Sequence, residues 1–491
     1  MPDAGSSPRC TSGIPGLDDV LGGGFPSRRL YLLQGTPGAG KTTLGLQFLL
    51  AGLARGERAL YISMSETREE LVAVARSHGW SLDALDVLEL AEDAPEENTL
   101  FHPSEVELGE RMRRILSEVE RVKPSRVVLD SCTELRLLAQ NGLRYRREIL
   151  ALKSELAVAD RTILLVDNPS PDAPDVLLQS LAHGVLTMEQ LHPAFGAERR
   201  RLRVLKMRGV AYRGGYHDFV IRTGGLQVFP RLVAAEHRGS LDEKAFPSGL
   251  PALDALLGGG LARGTSTLVM GPSGSGKSSL GTLYARRAAQ RGERVAVFAF
   301  DESRATMLAR ARSLGMELDS ALASGLLSLQ QVDPAELAPG EFVHQVRRAV
   351  DEHGARMVII DSLNGFLQAM PDESFLILQL HELLAYLAQK GVMALLLVAQ
   401  HGLLGEELSS PADVSYLSDT VVLLRFFEVE GAVRKAISVM KKRTGAHETT
   451  IREYLLSSSG VALGEPLSHL RGVLTGVPLP REAGGRPGEA E

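Results

Sequence analysis

The sequence predicts an α/β protein built of two tandem domains, each a mostly parallel sheet flanked by helices. Three observations carry this reading. Residues 12–66 align without a gap on residues 248–302, with 21 identities in 55 positions at a constant offset of 236. Short apolar runs alternate with helical patterns in each copy, as expected of strand–helix–strand units. A glycine-rich loop stands at the same place in both. Two repeats of this size indicate two domains, because stacked solenoid repeats run only about 20–50 residues.

Taken in order, the strands expected in the first copy are Arg29–Leu33, Ala59–Ser63, Arg126–Leu129 and Thr162–Val166. Their counterparts are Ser266–Met270, Val295–Phe300, Met357–Ile360 and Ala394–Val398. Helices fit between them. Thr43–Arg55 follows the first glycine loop, and Glu105–Val122 carries apolar residues at helical spacing until Pro124 stops it. A polar, aperiodic stretch within Ala234–Phe246 reads as the linker, which gives domains at 1–235 and 236–471. The final 20 residues, Gly472–Glu491, hold eight Gly or Pro and read as a mobile tail.

Composition narrows the function classes. The chain has 491 residues, 44% hydrophobic and 23% charged, and a formal charge of −6. A protein that coats nucleic acid by bulk electrostatics would be basic. Cys10 and Cys132 are the two cysteines, too few for a disulfide framework or a four-thiolate zinc site. The apolar run Val392–Ala399 is far short of the ~20 residues of a membrane span. Met1–Thr11 is not an apolar leader. The expectation is a soluble, cytoplasmic protein with no membrane contact.

The glycine loops read Gly35-Thr-Pro-Gly-Ala-Gly-Lys41-Thr42 and Gly271-Pro-Ser-Gly-Ser-Gly-Lys277-Ser278. Both match the phosphate-binding pattern G-x-x-x-x-G-K-[ST] between a strand and a helix. In that chemistry consecutive backbone N–H groups turn inward around phosphate oxygens, and the helix N-terminus adds its dipole. Gly38, Ala39, Gly40, Lys41, Thr42 and Thr43 form the first candidate cradle for ATP. Gly274, Ser275, Gly276, Lys277, Ser278 and Ser279 form the second. The lysines would meet the β- and γ-phosphates, and the Thr42 and Ser278 hydroxyls would join a Mg²⁺ shell. Downstream, Val127–Asp130 and Val358–Asp361 each end an apolar strand with a carboxylate, the Walker B pattern for metal. A helix-capping aspartate is the alternative at both places.

These motifs reach a known family. The arrangement resembles the RecA-like P-loop NTPases, and more closely the KaiC family, whose members fuse two RecA-like domains and act as ATPases and autokinases. The resemblance covers nearly all of residues 12–475. It is carried by GIPGLDDVLGGG, the paired P-loops, LDSCTELR, IIDSLNGF, LKMRG in the first copy and VMKKRTG in the second. It implies that Glu66 and Glu302 act on the attacking water. The family has two adjacent glutamates at this place, where this chain has Ser65-Glu66 and Asp301-Glu302. Both glutamates also begin helices, where acids favour the dipole, so a structural role stays open. The resemblance further implies that Lys206, Arg208, Lys441 and Arg443 reach the γ-phosphate held by a neighbouring subunit. The alternative for these cations is a solvated strand edge. A homo-oligomer, a ring of six with nucleotide at its seams, and a signalling protein partner are implied as well.

Two rival functions are carried alongside. KaiC proteins phosphorylate an adjacent Ser and Thr before a T-D-T segment, and here Ser415 matches the serine while Tyr416 replaces the threonine. A serine/threonine autokinase acting at Ser415 is therefore one alternative. A RadA- or RecA-type DNA motor is the other, raised by Arg199–Arg201 and by Arg144, Arg146 and Arg147. No zinc finger or aromatic stacking run supports nucleic acid as a partner. Trp80 and Tyr61 read as packing residues rather than adenine platforms.

Overall fold

Strand β1 (Leu30–Gly35) is buried along its whole length, as a central parallel strand covered on both faces must be. Its side chains alternate between two apolar clusters. Tyr31 and Leu33 join one with Tyr61 and Val128, while Leu30 and Leu32 join the other with Leu60, Ile62, Val127 and Leu129. Burying each such leucine contributes about 1.5–3 kcal/mol, so a slip of register by one residue is strongly disfavoured.

The remaining strands of the first sheet are β2 (Ala59–Ser63), β3 (Asp86–Glu89), β4 (Arg126–Asp130), β5 (Thr162–Asp167), β6 (Gly184–Leu191), β7 (Arg199–Met207), β8 (His217–Arg222) and β9 (Gly225–Phe229). They lie in the order β9-β8-β7-β6-β1-β5-β4-β2-β3. β1 to β6 run parallel, and β7 to β9 continue antiparallel. The second copy supplies β10 (Ser266–Pro272), β11 (Val295–Ala299), β12 (Leu327–Gln331), β13 (Met357–Asp361), β14 (Met393–Gln400), β15 (Thr420–Val429), β16 (Ala432–Lys442), β17 (Arg452–Ser457) and β18 (Gly460–Pro466). Their order is β12-β11-β13-β14-β10-β15-β16-β17-β18, the same topology strand for strand. The expected mostly parallel sheets flanked by helices are present twice.

The computed structural model describes residues 8–90, 103–139, 141–157, 161–168, 176–193, 196–237, 245–368, 373–400, 415–476 and 478–480. The chain divides into two compact units, Met1–Arg231 and Leu232–Glu491. Among the described residues, no helix is long and apolar enough to cross a membrane.

Element ends differ from expectation where function begins. β4 and β13 extend one residue further, so Asp130 and Asp361 close their strands. The helix after each P-loop starts at Lys41 and Lys277, two residues earlier than expected in the first copy. Gly40 (φ 95°) and Gly276 (φ 104°) make this possible as left-handed N-caps. A Cβ on Gly40 would stand 2.4 Å from Ile221 Cδ1, so both backbone and packing require glycine there. The tail expected from Gly472 is a correction in part. Val473 is 2% exposed and packs with Phe427 and Ala436, and Leu470–Arg471 pairs with Leu479–Pro480. Burial of the Val473 side chain outweighs the flexibility of the flanking glycines. Residues 481–491 lie outside the described set.

Candidate functional site

In each unit the P-loop lies at the carboxyl end of the central parallel strands, where open α/β sheets bind ligands. In the first, Lys41 is 7% exposed and its Nζ donates to the carbonyls of Gly35 (2.7 Å) and Thr36 (2.8 Å). Burial pulls this ammonium below its usual range, against the opposing pull of Asp130 and Asp167. Thr42 Oγ1 donates to Asp130 Oδ2 at 3.0 Å, and the Tyr61 hydroxyl donates to the same oxygen at 2.7 Å. Tyr61 belongs to the core, as expected, but its hydroxyl also orients the strand-end carboxylate.

Glu66 sits beside this pair. Its backbone N–H donates to Ser63 Oγ at 2.9 Å, while its Oε2 is buried with no hydrogen-bond partner. Burial first, then the charges of Asp130 and Glu70, push its carboxyl above the ordinary glutamate range. A half-buried carboxylate with a vacant acceptor and a raised pKa is suited to take a proton from water.

The second cleft has a volume of about 440 Å³ and is lined by Lys277, Ser278, Asp301, Glu302, Arg310 and Asp361, among others. Lys277 Nζ repeats the first arrangement, donating to Gly271 O and Pro272 O, both at 2.8 Å. Burial lowers its pKa to about 8, although Asp361 and Asp301 pull upward. Burial likewise pushes the Asp361 carboxyl up, and the hydrogen bond from Ser278 pulls it back. Ser275 Oγ is buried with no partner inside the loop. Asp301 accepts a hydrogen bond from Ser362 Oγ. Glu302, in contrast to Glu66, is held by Arg310 through two bonds of 3.2 and 2.8 Å. Arg310 also donates to Thr282 Oγ1 at 3.2 Å.

The other expected cations do not join their own clefts. Lys206 and Arg208 lie at the end of β7, level with the start of β1, because Met207 pairs with Gly184 and Gly184 with Tyr31. Four residue steps along β1, from Tyr31 to Gly35, separate that level from the P-loop, about 13 Å at the usual strand rise. Lys206 Nζ donates to Gln179 O and Ser180 O, and Arg208 donates to Ser180 O at 2.7 Å. Lys441 and Arg443 repeat this below the start of β10, donating to the carbonyls of Ser415, Ser418 and Tyr416. Ser415 begins a short 3-10 turn at this same far end, and Tyr416 is 54% exposed. Residues 401–414 lie outside the described set.

The arginine run offered as a nucleic-acid face is largely absorbed by β7. Arg199 is buried, Arg200 pairs with Glu198 at 3.0 Å, and Arg201 pairs with Glu189 at 2.8 Å while stacking on Tyr216. Arg310 was not anticipated. One trace of it exists in the sequence: carried past Glu66 and Glu302, the gapless alignment sets Val74 against Arg310. Arg310 is one of three arginines on its helix, Arg304–Ser313, and no special spacing sets it apart from the others.

A sequence model of the KaiC ATPase family matches residues 10–233 and again 246–468. Among curated relatives, the chain is similar to the circadian clock oscillator protein KaiC of Parathermosynechococcus lividus, 27% identical over 480 residues, 96% of this chain and 88% of that protein. It is as similar to the protein of that name from Prochlorococcus marinus (strain MIT 9313), 27% over 475 residues and 95% of each chain. The one from Synechococcus elongatus is 26% identical over 474 residues, 95% of this chain and 91% of its own length.

Proposed function

This chain belongs to the KaiC ATPase family, and we propose that each of its domains binds ATP with Mg²⁺ on its P-loop and hydrolyses it by in-line attack of water. Lys41 and Lys277 bind phosphate oxygens, exchanging the carbonyls they now hold for a stronger, charged partner. Thr42 with Asp130, and Ser278 with Asp361, would hold the magnesium, which when bound neutralises charge on the β- and γ-phosphates. Buried oxygen atoms without partners at Ser275 and Glu66 are the sign that these cradles fit a polar ligand. Glu66 and Glu302 orient the water and accept its proton. The water oxygen bonds to the γ-phosphorus as the bond to the ADP oxygen breaks, leaving ADP and inorganic phosphate. Asp301 supports Glu302 from the adjacent position through its hold on Ser362.

Lys206, Arg208, Lys441 and Arg443 act on nucleotide held by another copy of the chain. Support comes from their place towards the opposite end of β1 and β10, three or more residue levels from their own P-loops. This reading requires a homo-oligomer, and the family resemblance points to a ring of six. Hydrolysis then drives a conformational signal to a protein partner in the cytoplasm.

The observation that carries the reading is the repeated set of a buried lysine on two loop carbonyls with a hydroxyl facing a strand-end aspartate. Phosphate release from wild type, Lys41→Ala, Lys277→Ala and the double variant tests it. Each single change is expected to remove its own site's share, and the double to lower turnover by about 10²-fold or more. A double variant that hydrolyses at the wild-type rate refutes the assignment.

A further inference from the structure

Glu302 stands just before Ser303, the N-cap of the helix Arg304–Ser313. Met307 and Ala311 are the buried residues of that helix, so position 310, three residues after Met307, turns inward with them. Helical side chains lean towards the N-terminus, which carries the Arg310 guanidinium back to Glu302. Its Nε donates to Oε1 at 3.2 Å and its Nη2 to Oε2 at 2.8 Å. One edge of the guanidinium thus takes both carboxylate oxygens, which fixes the plane of the carboxylate as well as its place.

The remaining nitrogen, Nη1, donates to Thr282 Oγ1 at 3.2 Å. Thr282 is fully buried on the helix that follows the P-loop, and its hydroxyl donates to Ser278 O at 2.8 Å. With its proton committed to the preceding turn, the threonine oxygen is left to accept. A chain of bonds therefore runs from Glu302 through Arg310 and Thr282 to Ser278, whose own hydroxyl bonds Asp361. Arg310 also lines the cleft beside Lys277 and Asp361, so this chain lies at the site and not on the outer face of the helix.

The first copy shows that the fold does not need these bonds. The positions matching Thr282 and Arg310 are Leu46 and Val74, and both pack in the apolar core. Glu66 there keeps a buried oxygen without a partner. Two positions 28 residues apart differ together between the copies, an apolar pair in one and a hydrogen-bonded pair aimed at the acid in the other.

We propose that Arg310, seated on Thr282, is the positioning residue of the second site, holding Glu302 ready for the attacking water. A free glutamate samples several rotamers, and ordering it costs entropy that this arrangement meets before nucleotide arrives. A carboxylate offers about four acceptor positions and the guanidinium takes two, which leaves room for the water. Arg310 acts through the glutamate and not on phosphate. The proposal rests on the reading that Glu302 handles the water.

The test uses the full chain carrying Lys41→Ala, so that phosphate release reports the second site. Arg310→Gln is expected to lower kcat about tenfold, with KM and the affinity for a fluorescent non-hydrolysable ATP analogue within about twofold. Arg310→Lys should restore part of the loss, and Thr282→Val should lower kcat about threefold. These two variants carry the test if Arg310→Gln fails to fold. Arg312→Gln is the control, because Arg312 lies on the same helix but pairs with Asp319 at 2.8 Å. In a Glu302→Gln background, Arg310→Gln should cost less than about twofold more, since a residue acting through the acid has nothing left to position. An equal loss in both backgrounds, a change confined to KM, or an unchanged or faster Arg310→Gln overturns the proposal. Glu302→Gln at the reference rate would remove the acid itself from catalysis and the proposal with it. An inactive Glu302→Gln beside a fully active Arg310→Gln overturns the proposal alone.

Discussion

The two clefts share a backbone and differ in what surrounds the acidic side chain beside the P-loop. In the first, Glu66 is half-buried, its Oε2 is buried without a partner, and its carboxyl is pushed upward by burial and by Asp130. In the second, Glu302 is gripped by Arg310, whose place in the first copy is taken by Val74. The strand-end aspartates differ too. Tyr61 donates to Asp130, while the matching position in the second copy is Val297 and Asp361 is left to Ser278. Duplication preserved the phosphate cradle, which is backbone geometry, and released the side chains that tune the water-handling acid. The two sites are therefore expected to hydrolyse with different pH dependence and different rates.

The largest effect that would break this comparison is loss of the acid itself. In a Lys277→Ala background, Glu66→Gln is expected to lower the remaining phosphate release about 10²-fold or more. Glu302→Gln should do the same in a Lys41→Ala background. Retained activity in either case would remove that glutamate from catalysis.

Next in size is the pH profile. With the second site silenced by Lys277→Ala, the first site needs Glu66 ionised, and its raised pKa places the acid limb above the ~4.3 of a free glutamate. Adding a cation through Val74→Arg should move that limb to lower pH and raise the rate at pH 5 severalfold. An unmoved limb means that some other group sets it.

Lysine protonation sharpens the contrast further. Lys277, with a pKa of about 8, is half neutral at that pH in the free protein. Phosphate charges favour its protonated form, so nucleotide binding at pH 8 should take up about half a proton at this site. Calorimetry in buffers of differing ionisation enthalpy measures this, and Lys277→Arg should abolish it. In the ligand-free protein the sign for stability is the reverse of a paired lysine. The unfolded chain binds the extra proton, so this contribution grows as pH rises from about 8 towards the ~10.4 of a free lysine.

The smallest effect belongs to Tyr61. Tyr61→Phe removes a bond to a carboxylate and should cost about 1–2 kcal/mol in the first domain, read as a lower melting temperature. Val297→Phe has no such bond to lose, and any destabilisation it brings would come from overpacking.

Much of this architecture was legible because it is written in short stretches. Leu30–Leu33 and Val127–Leu129 are unbroken apolar runs, and their register follows from the need to bury both faces. Of β7 to β9 only the Lys206–Arg208 end of β7 reads as strand in the sequence, because the rest of β7 is rich in arginine and its charges are paired only after folding. Lys206 and Arg208 were visible as a spaced pair, but their distance from their own P-loop was not. That distance depends on which strand lies beside β1 and in which direction it runs.

By itself the sequence determined the duplication, the two phosphate loops and the carboxylates that end the Walker B strands. A turn of eight residues is set by its own glycines and lysine, and a buried strand by its own apolar run. Only the tertiary structure decided that Arg310 meets Glu302 and that Tyr61 meets Asp130 across 69 residues of chain. Those meetings arise from strand order and helix placement, which bring together residues that carry no mark of each other along the chain.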